Sequence, residues 1–418
     1  MTTLWWSLVL SPLVLGTYTY AGYPAALALL ARKRSRPSFP EVPNDGLPRV
    51  SITIPMYNEA ENVRELLESI LALDYPEHLR QILVVSDASD DGTDEIVRGF
   101  EDRGVEILRL PERTGKTHAE NLAAPHLRGG IVINTDASIR IAPDALRKLV
   151  AAFEDPSVGV ASGRDVSVAS AGDESTAEGG YVGYEMWVRR LETKVAGIVG
   201  ASGSLYAIRA DLHRTILPSF LSRDFSSALI ARENGYRAVS VEEAVCTVPR
   251  STSLRKEYRR KVRTMLRGMQ SLVARRHLLN PVQHGSFAWM LASHKGCRWL
   301  LPWTFPLAGV GLLALAPSHP WMWLPLAAAA GTSGLAAVGW QLSGTRPVPR
   351  LLAIPTFAVL ANLAVVHASL RLLRGGGGSV WEPTRRGVGG IGQERLHEKT
   401  ESPTKPSLLT PNGSPPST

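Results

Sequence analysis

The 418-residue sequence predicts an α/β domain with a mainly parallel sheet, held between transmembrane helices at its two ends. Three observations predict it. Short β-rich runs alternate with helical patterns between Arg49 and about Pro249. Charge-free apolar stretches long enough to cross a bilayer lie on both sides of that region. The basic residues gather beside those stretches, where anionic lipid would attract them.

Met1 to Ala31 contains no charged side chain and exceeds the roughly 20 residues needed to cross a bilayer core, so 1–31 reads as a span. Ala26-Leu27-Ala28 imitates a cleavage site, but the apolar stretch is too long for a signal peptide and no basic residue precedes it. The cluster Arg32-Lys33-Arg34-Ser35-Arg36 opens a basic linker over 32–48. By the positive-inside rule it puts everything after it in the cytosol. An α/β domain is expected over 49–250 and basic amphipathic or interfacial helices over 251–298, with most of the charge between Arg255 and Arg276.

Beyond Arg298 the chain meets no Asp, Glu, Lys or Arg until Arg346, and Pro317-Ser318-His319-Pro320 breaks that region into a helical hairpin. Leu351 to Leu370 is a further charge-free stretch, so two to three transmembrane helices are expected over 299–373. Three would leave the tail outside, whereas the arginines flanking its start, Arg371 and Arg374, favour the inside; one re-entrant or interfacial segment would reconcile the two. Trp299, Trp303, Trp321 and Trp323 read as interface anchors. The tail, 374–418, begins near Gly375-Gly376-Gly377-Gly378. Its Gly, Pro, Ser and Thr cannot bury enough apolar surface to fold.

A hydrophobic fraction of 44% is too high for a tail-like protein and too low for a pure membrane bundle. The formal charge of +8 sits beside apolar segments rather than along a nucleic-acid face, so no nucleic-acid partner is expected. Cys246 and Cys297 stand far apart, which gives neither a disulfide framework nor a zinc site.

Within 49–250 the strands are Val50 to Ile54, Ile82 to Val85 and Ile131 to Asn134, and a helix from Glu59 carries Val63, Leu66, Leu67, Ile70 and Leu71 on one face. In such sheets ligands bind beyond the carboxyl ends of the strands. Four polar clusters fall there. The first is Ile54-Pro55-Met56-Tyr57-Asn58-Glu59, a strand exit and helix opening. The second, Val85-Ser86-Asp87-Ala88-Ser89-Asp90-Asp91-Gly92-Thr93, places Asp87 where a strand ends. Asp90, Asp91 and Thr93 read as a turn and helix cap. The third, Arg113-Thr114-Gly115-Lys116-Thr117-His118-Ala119-Glu120-Asn121, offers a glycine turn, a lysine and an incipient helix suited to phosphate, without the leading glycine of a Walker loop. The fourth, Asn134-Thr135-Asp136-Ala137-Ser138, sets an acid beyond a buried strand, where it can help hold a divalent ion against a diphosphate.

In this order and spacing the four clusters resemble the nucleotide-binding half of family-2 glycosyltransferases with the GT-A fold, in the cellulose-synthase-like and hyaluronan-synthase-like superfamily. The resemblance continues through Gly200-Ala201-Ser202-Gly203-Ser204-Leu205-Tyr206-Ala207-Ile208-Arg209, which is similar to the acceptor-side segment. It extends through Ser222-Arg223-Asp224-Phe225, similar to the catalytic acidic motif, into the basic helix Arg259 to Gly268 and the membrane region ending near Trp381 to Arg385. The resemblance implies an inverting transfer from a UDP-linked nucleotide sugar to a saccharide or lipid-linked acceptor, in cell-envelope or exopolysaccharide synthesis. Pro55, Tyr57 and Glu59 would line the nucleoside pocket, Asp87 would meet the base and Lys116 would lie near ribose or phosphate. Asp136 would hold Mg²⁺ or Mn²⁺ and the diphosphate, Gly203 would lie against substrate, Arg260 or Arg263 would neutralise the leaving group, and Asp224 would be the base, with Glu185 or Glu192 in reserve.

Two departures stand out. The usual Asp-x-Asp is reduced to Asp136-Ala137-Ser138, and Arg223 replaces the acid that ordinarily precedes Asp224. The Gln-x-x-Arg-Trp signature of processive synthases is also missing, which argues against extrusion of a long polymer. The alternative these departures raise is a non-catalytic nucleotide-sugar-binding pseudoenzyme or a partner subunit of a polysaccharide synthase. A transport component is disfavoured, since no span holds an internal charged residue. The expected location is the plasma membrane, in contact with its lipid, with the catalytic domain cytosolic.

Overall fold

The computed structural model describes residues 2–35, 39–168, 176–249, 254–343 and 348–375. Arg36 of the first basic cluster, and the tail beyond 375 with its expected lack of fold and the segment Trp381 to Arg385, lie outside the described residues. Two helices come first, α1 (Thr2–Thr17) and α2 (Tyr23–Ala31), continuous through a π-helical turn at Tyr18–Gly22. The α/β region then runs β1 (Val50–Met56), α3 (Val63–Leu71), β2 (Arg80–Ser86), α4 (Thr93–Arg98), β3 (Val105–Arg109), α5 (Lys116–Ala123), β4 (Ile131–Thr135) and β5 (Arg140–Ile141). It continues with α6 (Ala145–Ala151), β6 (Val158–Val168), α7 (Thr176–Val195), β7 (Leu205–Arg209), α8 (Ala210–His213), α9 (Arg223–Glu233) and β8 (Arg237–Pro249).

The sheet order is β3-β2-β1-β4-β7-β6-β8-β5. The strands β3, β2, β1 and β4 are parallel, β7 runs antiparallel to both β4 and β6, and β8 is parallel to β6. The chain moves outward from β1 to β3 and then returns to β4 on the other side of β1. That reversal makes a switch point where the loops after β1 and β4 open a crevice. All seven residues of β1 are buried, as expected for a strand covered on both faces. Ile82 and Val84 face the core made with α3 and α6, while Leu83 and Val85 face the core made with α5 and α9. On α3 the expected stripe Val63, Leu66, Leu67 and Ile70 is fully buried, each side chain contributing roughly 1.5–3 kcal/mol.

After the sheet come α10 (Leu254–Ala274), α11 (Pro281–His284), α12 (Ser286–Leu291), a π-helical stretch at Ala292–Cys297, α13 (Arg298–Leu315), α14 (Trp323–Leu342) and α15 (Arg350–Leu373). Among the described residues four segments are long and apolar enough to cross a membrane: Thr2–Ala31, Ser286–Leu315, Pro320–Leu342 and Leu351–Leu373. A polar junction ties the first two to the α/β region. His294 meets Glu192 through Nδ1 (2.6 Å) and Glu185 through Nε2 (2.9 Å), Arg298 pairs with Glu185 (2.6 Å), and the Tyr23 hydroxyl donates to Glu192 (2.5 Å).

Small residues let α1 and α13 approach closely. A Cβ added at Gly311 would lie 2.8 Å from the Trp5 carbonyl, whereas one added at Gly309 would meet nothing within 4 Å. Gly311→Leu is therefore expected to lower the thermal unfolding midpoint of the detergent-purified protein by several degrees, and Gly309→Leu to leave it unchanged. Equal midpoints for the two variants would show that the helix pair is not packed in this register.

Candidate active site

The loops after β1 and β2 are sewn together by side chains. Asn58, at φ 53°, exchanges hydrogen bonds with Asp90, donating from Nδ2 (2.7 Å) and accepting from the Asp90 amide (3.0 Å). The Glu59 amide donates to Thr93 and the Ala60 amide to Asp91, whose carboxylate also accepts from the Thr93 amide. Burial opposes ionisation of Asp91, but the Thr93 hydroxyl and these amides outweigh it and lower its pKa. Asp90, Asp91 and Thr93 make the bonds of a turn, whereas the N-cap of α4 is Gly92, without a side-chain cap bond. Pro55 is a buried residue of β1, Glu59 is buried where its amide meets Thr93, and the Arg113 guanidinium stands 3.9 Å from the centre of the Tyr57 ring.

Asp87 is buried at the end of β2. One carboxylate oxygen accepts from the amide (2.7 Å) and hydroxyl (3.1 Å) of Thr114, the other from the Gly115 amide (2.8 Å). This clamps the 113–115 turn, where Gly115 takes φ 92°, and presents Lys116 as the first residue of α5.

Lys116 is the cation at the centre. Its Nζ donates to Asp136 (2.5 Å), with the two side chains 17% and 33% exposed. Burial works to lower the Lys116 pKa, yet Asp136, Glu120 and Asp224 outweigh it and raise the value above that of an ordinary lysine. The Asp136 amide donates to the Ser204 carbonyl (3.2 Å), which sets the 202–204 turn beside it. A Cβ on Gly203 would stand 2.9 Å from Asp224 Oδ2, so only glycine leaves the Asp224 carboxylate its place. Ser222 donates to the other oxygen of Asp224, which sits in the first turn of α9. Lys116, Asp136, Gly203 and Asp224 therefore share one wall. Arg260 and Arg263 lie further along α10, and Arg260 is held by Glu257 through two hydrogen bonds of 2.9 and 2.6 Å. Glu185 and Glu192 belong to the junction with the spans.

Three contributors received no role from the motifs, although Glu120 and Arg267 stand inside them. Arg267 reaches from α10 to Thr117 Oγ1 (3.0 Å) and to the carbonyls of Ser219 (2.6 Å) and Leu221 (3.0 Å). Burial lowers its pKa against the attraction of Asp224 and Glu120. It lies one helical turn beyond Arg263, so the helical period points to it. Asp165 accepts both bonds of the Ser202 hydroxyl (2.8 and 2.6 Å) and so shapes the turn that holds Gly203. Glu120 is 1% exposed beneath Lys116, one turn along α5, and pairs with Arg223 at 3.5 Å. Burial raises the Glu120 pKa, with Lys116 and Arg223 pulling the other way. The arginine that displaces an expected acid thus points inward, donating also to the His213 carbonyl (2.9 Å), and a carboxylate of α5 neutralises it.

Toward a divalent ion the site offers Asp136, whose carboxylate pairs with Lys116. Asp136 is part-exposed and supplies a single carboxylate, Ala137 and Ser138 add none, and among the described residues no three His, Cys, Asp or Glu side chains converge on one point. A separate cleft of about 380 Å³, lined by Arg147, Lys148, Arg190 and Glu242, contains none of these groups, and its Glu242 is paired with Arg190.

Residues 51–214 match the profile of glycosyl transferase family 2. An N-acetylglucosaminyltransferase of Bradyrhizobium elkanii is 33% identical over 126 residues, which is 29% of this chain and 68% of that protein. One from Rhizobium meliloti is 27% identical over 237 residues, 52% of this chain and 55% of that protein. The chain spans 30–55% of the length of the first curated relatives it matches. Among solved structures, a mannosyltransferase from Pyrobaculum calidifontis in complex with GDP-Man and Mn²⁺ superposes with a TM-score of 0.64 at 25% identity, covering 88% of this chain and 99% of that one.

Removing one member of a buried ion pair leaves the other uncompensated, at a cost of about 3–5 kcal/mol. Glu120→Leu and Arg223→Leu are each expected to destabilise the protein on that scale in denaturant unfolding. The double variant is expected to fall short of their sum by more than about 1 kcal/mol. Strictly additive costs would show that the two charges do not sustain one another.

Proposed function

The chain belongs to glycosyl transferase family 2, with a GT-A fold and helices long and apolar enough to span a membrane at both ends, and we propose that it is an inverting enzyme working at the cytosolic face of that membrane. In this reading it moves a sugar from a nucleotide donor to a saccharide or lipid-linked acceptor in cell-envelope or exopolysaccharide synthesis. The observation that carries the reading is the single wall formed by Lys116, Asp136, Gly203 and Asp224. A UDP-linked donor is proposed, with its nucleoside against Pro55, Tyr57 and Glu59 and its base edge toward Asp87. The Asp87 oxygens already brace Thr114 and Gly115, so a base seated there also fixes the turn that presents Lys116. A GDP-linked donor is the second reading, favoured by the mannosyltransferase solved with GDP-Man.

The chemistry follows from the placement of charge. The Asp224 carboxylate accepts the proton of the acceptor hydroxyl as that oxygen forms its bond to the anomeric carbon. The bond from the same carbon to the nucleoside diphosphate breaks, and the electron pair leaves with the phosphate oxygen. Lys116 lies where that charge develops, and Arg267 adds a second fixed cation behind it. Asp136 would hold Mg²⁺ or Mn²⁺, and the ion would supply further charge neutralisation for the diphosphate. Displacement from one face by one base inverts the anomeric carbon.

A general base contributes typically about 10²–10⁴-fold. Asp224→Asn is expected to lose about that factor in turnover of a nucleotide sugar by the membrane-reconstituted protein while binding the nucleoside diphosphate with unchanged affinity. A fully active Asn variant, or parallel loss of binding and turnover, would move the base elsewhere.

A further inference from the structure

The first three candidate spans run between two levels. At the far level the Trp6 ring meets His319 (5.8 Å) and Trp321 (6.0 Å), and α1 passes Gly311 of α13. At the near level Gly16 lies against Leu301, and Trp299 against Gly268 of α10. The near level is that of the catalytic domain, because α10 is fastened to it through Arg267 and through Ser271, which accepts from the Ser222 amide (3.1 Å). The 20 residues of α14 extend about 30 Å, a bilayer core, and Trp340 stands about 26 Å along the helix from Trp323 at the far level. There Arg255 stacks at 5.6 Å and Tyr258 at 5.8 Å, both from α10.

A fourth crossing would carry α15 back along α14 and leave His367, which stands beyond the Thr356 that abuts Gly339, roughly 16 Å past the level of Trp340. The contacts exclude that path. The Tyr258 ring that touches Trp340 also touches His367 at 6.1 Å, and its hydroxyl lies 3.3 Å from His367 Nδ1. Lys261 stands 4.7 Å from the Phe357 ring, and Ser369 lies 3.7 Å from the Met269 sulfur. Between them Ala364, Val365 and Ala368 pack on Val262, Leu266 and Met269, with Leu372 and Trp299 at the border. At the other end Thr356 abuts Gly339. Both ends of α15 thus stand on the catalytic side. Charge agrees, since Arg346 precedes the helix and Arg350 opens it, while Arg371 stands in its last turn and Arg374 follows it, a pattern that places both flanks on one side.

We infer that α15, the most apolar of the four candidate spans, does not cross the membrane but lies beneath α10 in the leaflet facing the catalytic domain, its outer leucines in acyl chains and its arginines on anionic headgroups. The outward side chains are Leu351, Ile354, Leu363, Leu370 and Leu373. The described residues then cross three times, and α15 ends on the side of the catalytic domain. The helix that carries Arg267 to the active site is seated on lipid through α15. This inference rests on the proposed membrane embedding, and not on donor, acceptor or turnover.

The test labels the full chain in intact and permeabilised bacterial cells with a membrane-impermeant maleimide, above the background of Cys246 and Cys297 in the unsubstituted protein. Single variants report the tail (Ser402→Cys and Ser417→Cys), the catalytic domain (Asp102→Cys) and the far level (Ser318→Cys). Both tail positions are expected to label under the same condition as Asp102→Cys and the opposite one to Ser318→Cys. Tail labelling that follows Ser318→Cys would establish a fourth crossing and overturn the inference. Because position 102 is the reference, the comparison reads the same whichever face the catalytic domain occupies and whether or not the proposed chemistry holds.

Discussion

The ammonium of Lys116, set among the carboxylates of Asp136, Glu120 and Asp224, is the interaction on which the site depends. Three acids gathered without it would repel one another and lose their hydration together, an arrangement that protonation or unfolding would relieve. Each neighbouring device serves to hold that lysine or its partners. Asp87 braces the turn that presents it, the Ser204 carbonyl fixes the backbone of Asp136, and Gly203 makes room for Asp224. Arg223 balances the deepest acid from below. The switch point between β1 and β4 brings these groups to one crevice, which local sequence spacing alone cannot do.

The attachment to the membrane is built from the same materials. Glu185 and Glu192 grip His294, Arg298 and Tyr23 where the first two spans meet α7, so these acids serve the junction. Next to this junction α10 joins the loop before α9 through Arg267 and Ser271, and Leu272 of α10 shares one core cluster with Tyr23 and Val188. Asp224 lies in the first turn of α9, so the carboxylate proposed as the base stands a few residues from the loop that α10 holds.

Much of this was legible in the sequence, and the reasons for the remainder are physical. Strand exits such as Asp87 and Asp136 announce themselves because a buried apolar run ends abruptly in a polar residue. The stripe on α3 is equally plain from its period. Arg223 looks like a damaged motif when only its neighbours in the chain are visible, since the carboxylate that completes it lies on α5, far back in the sequence. Asp165 gives no local signal, being one acid in a long strand whose partners are serines of a distant turn. On α10 many arginines compete for one role, and only the direction of each side chain separates Arg267, which reaches Thr117, from Arg260, which closes on Glu257. Length and apolarity mark α15 as a span because composition reports what a helix can enter, not which way it runs.

The central claim is that the leaving diphosphate and its divalent ion are held at the Lys116–Asp136 pair. The most direct measurement is the calorimetric affinity of the full-length protein for UDP and for GDP, in Mn²⁺ and after chelation, for the natural sequence and for Asp136→Asn. The account expects Mn²⁺ to tighten binding of at least one nucleotide by about tenfold or more, roughly 1.4 kcal/mol, and expects that gain to vanish in Asp136→Asn. An equal Mn²⁺ gain in both proteins, or none in the natural one, would contradict it.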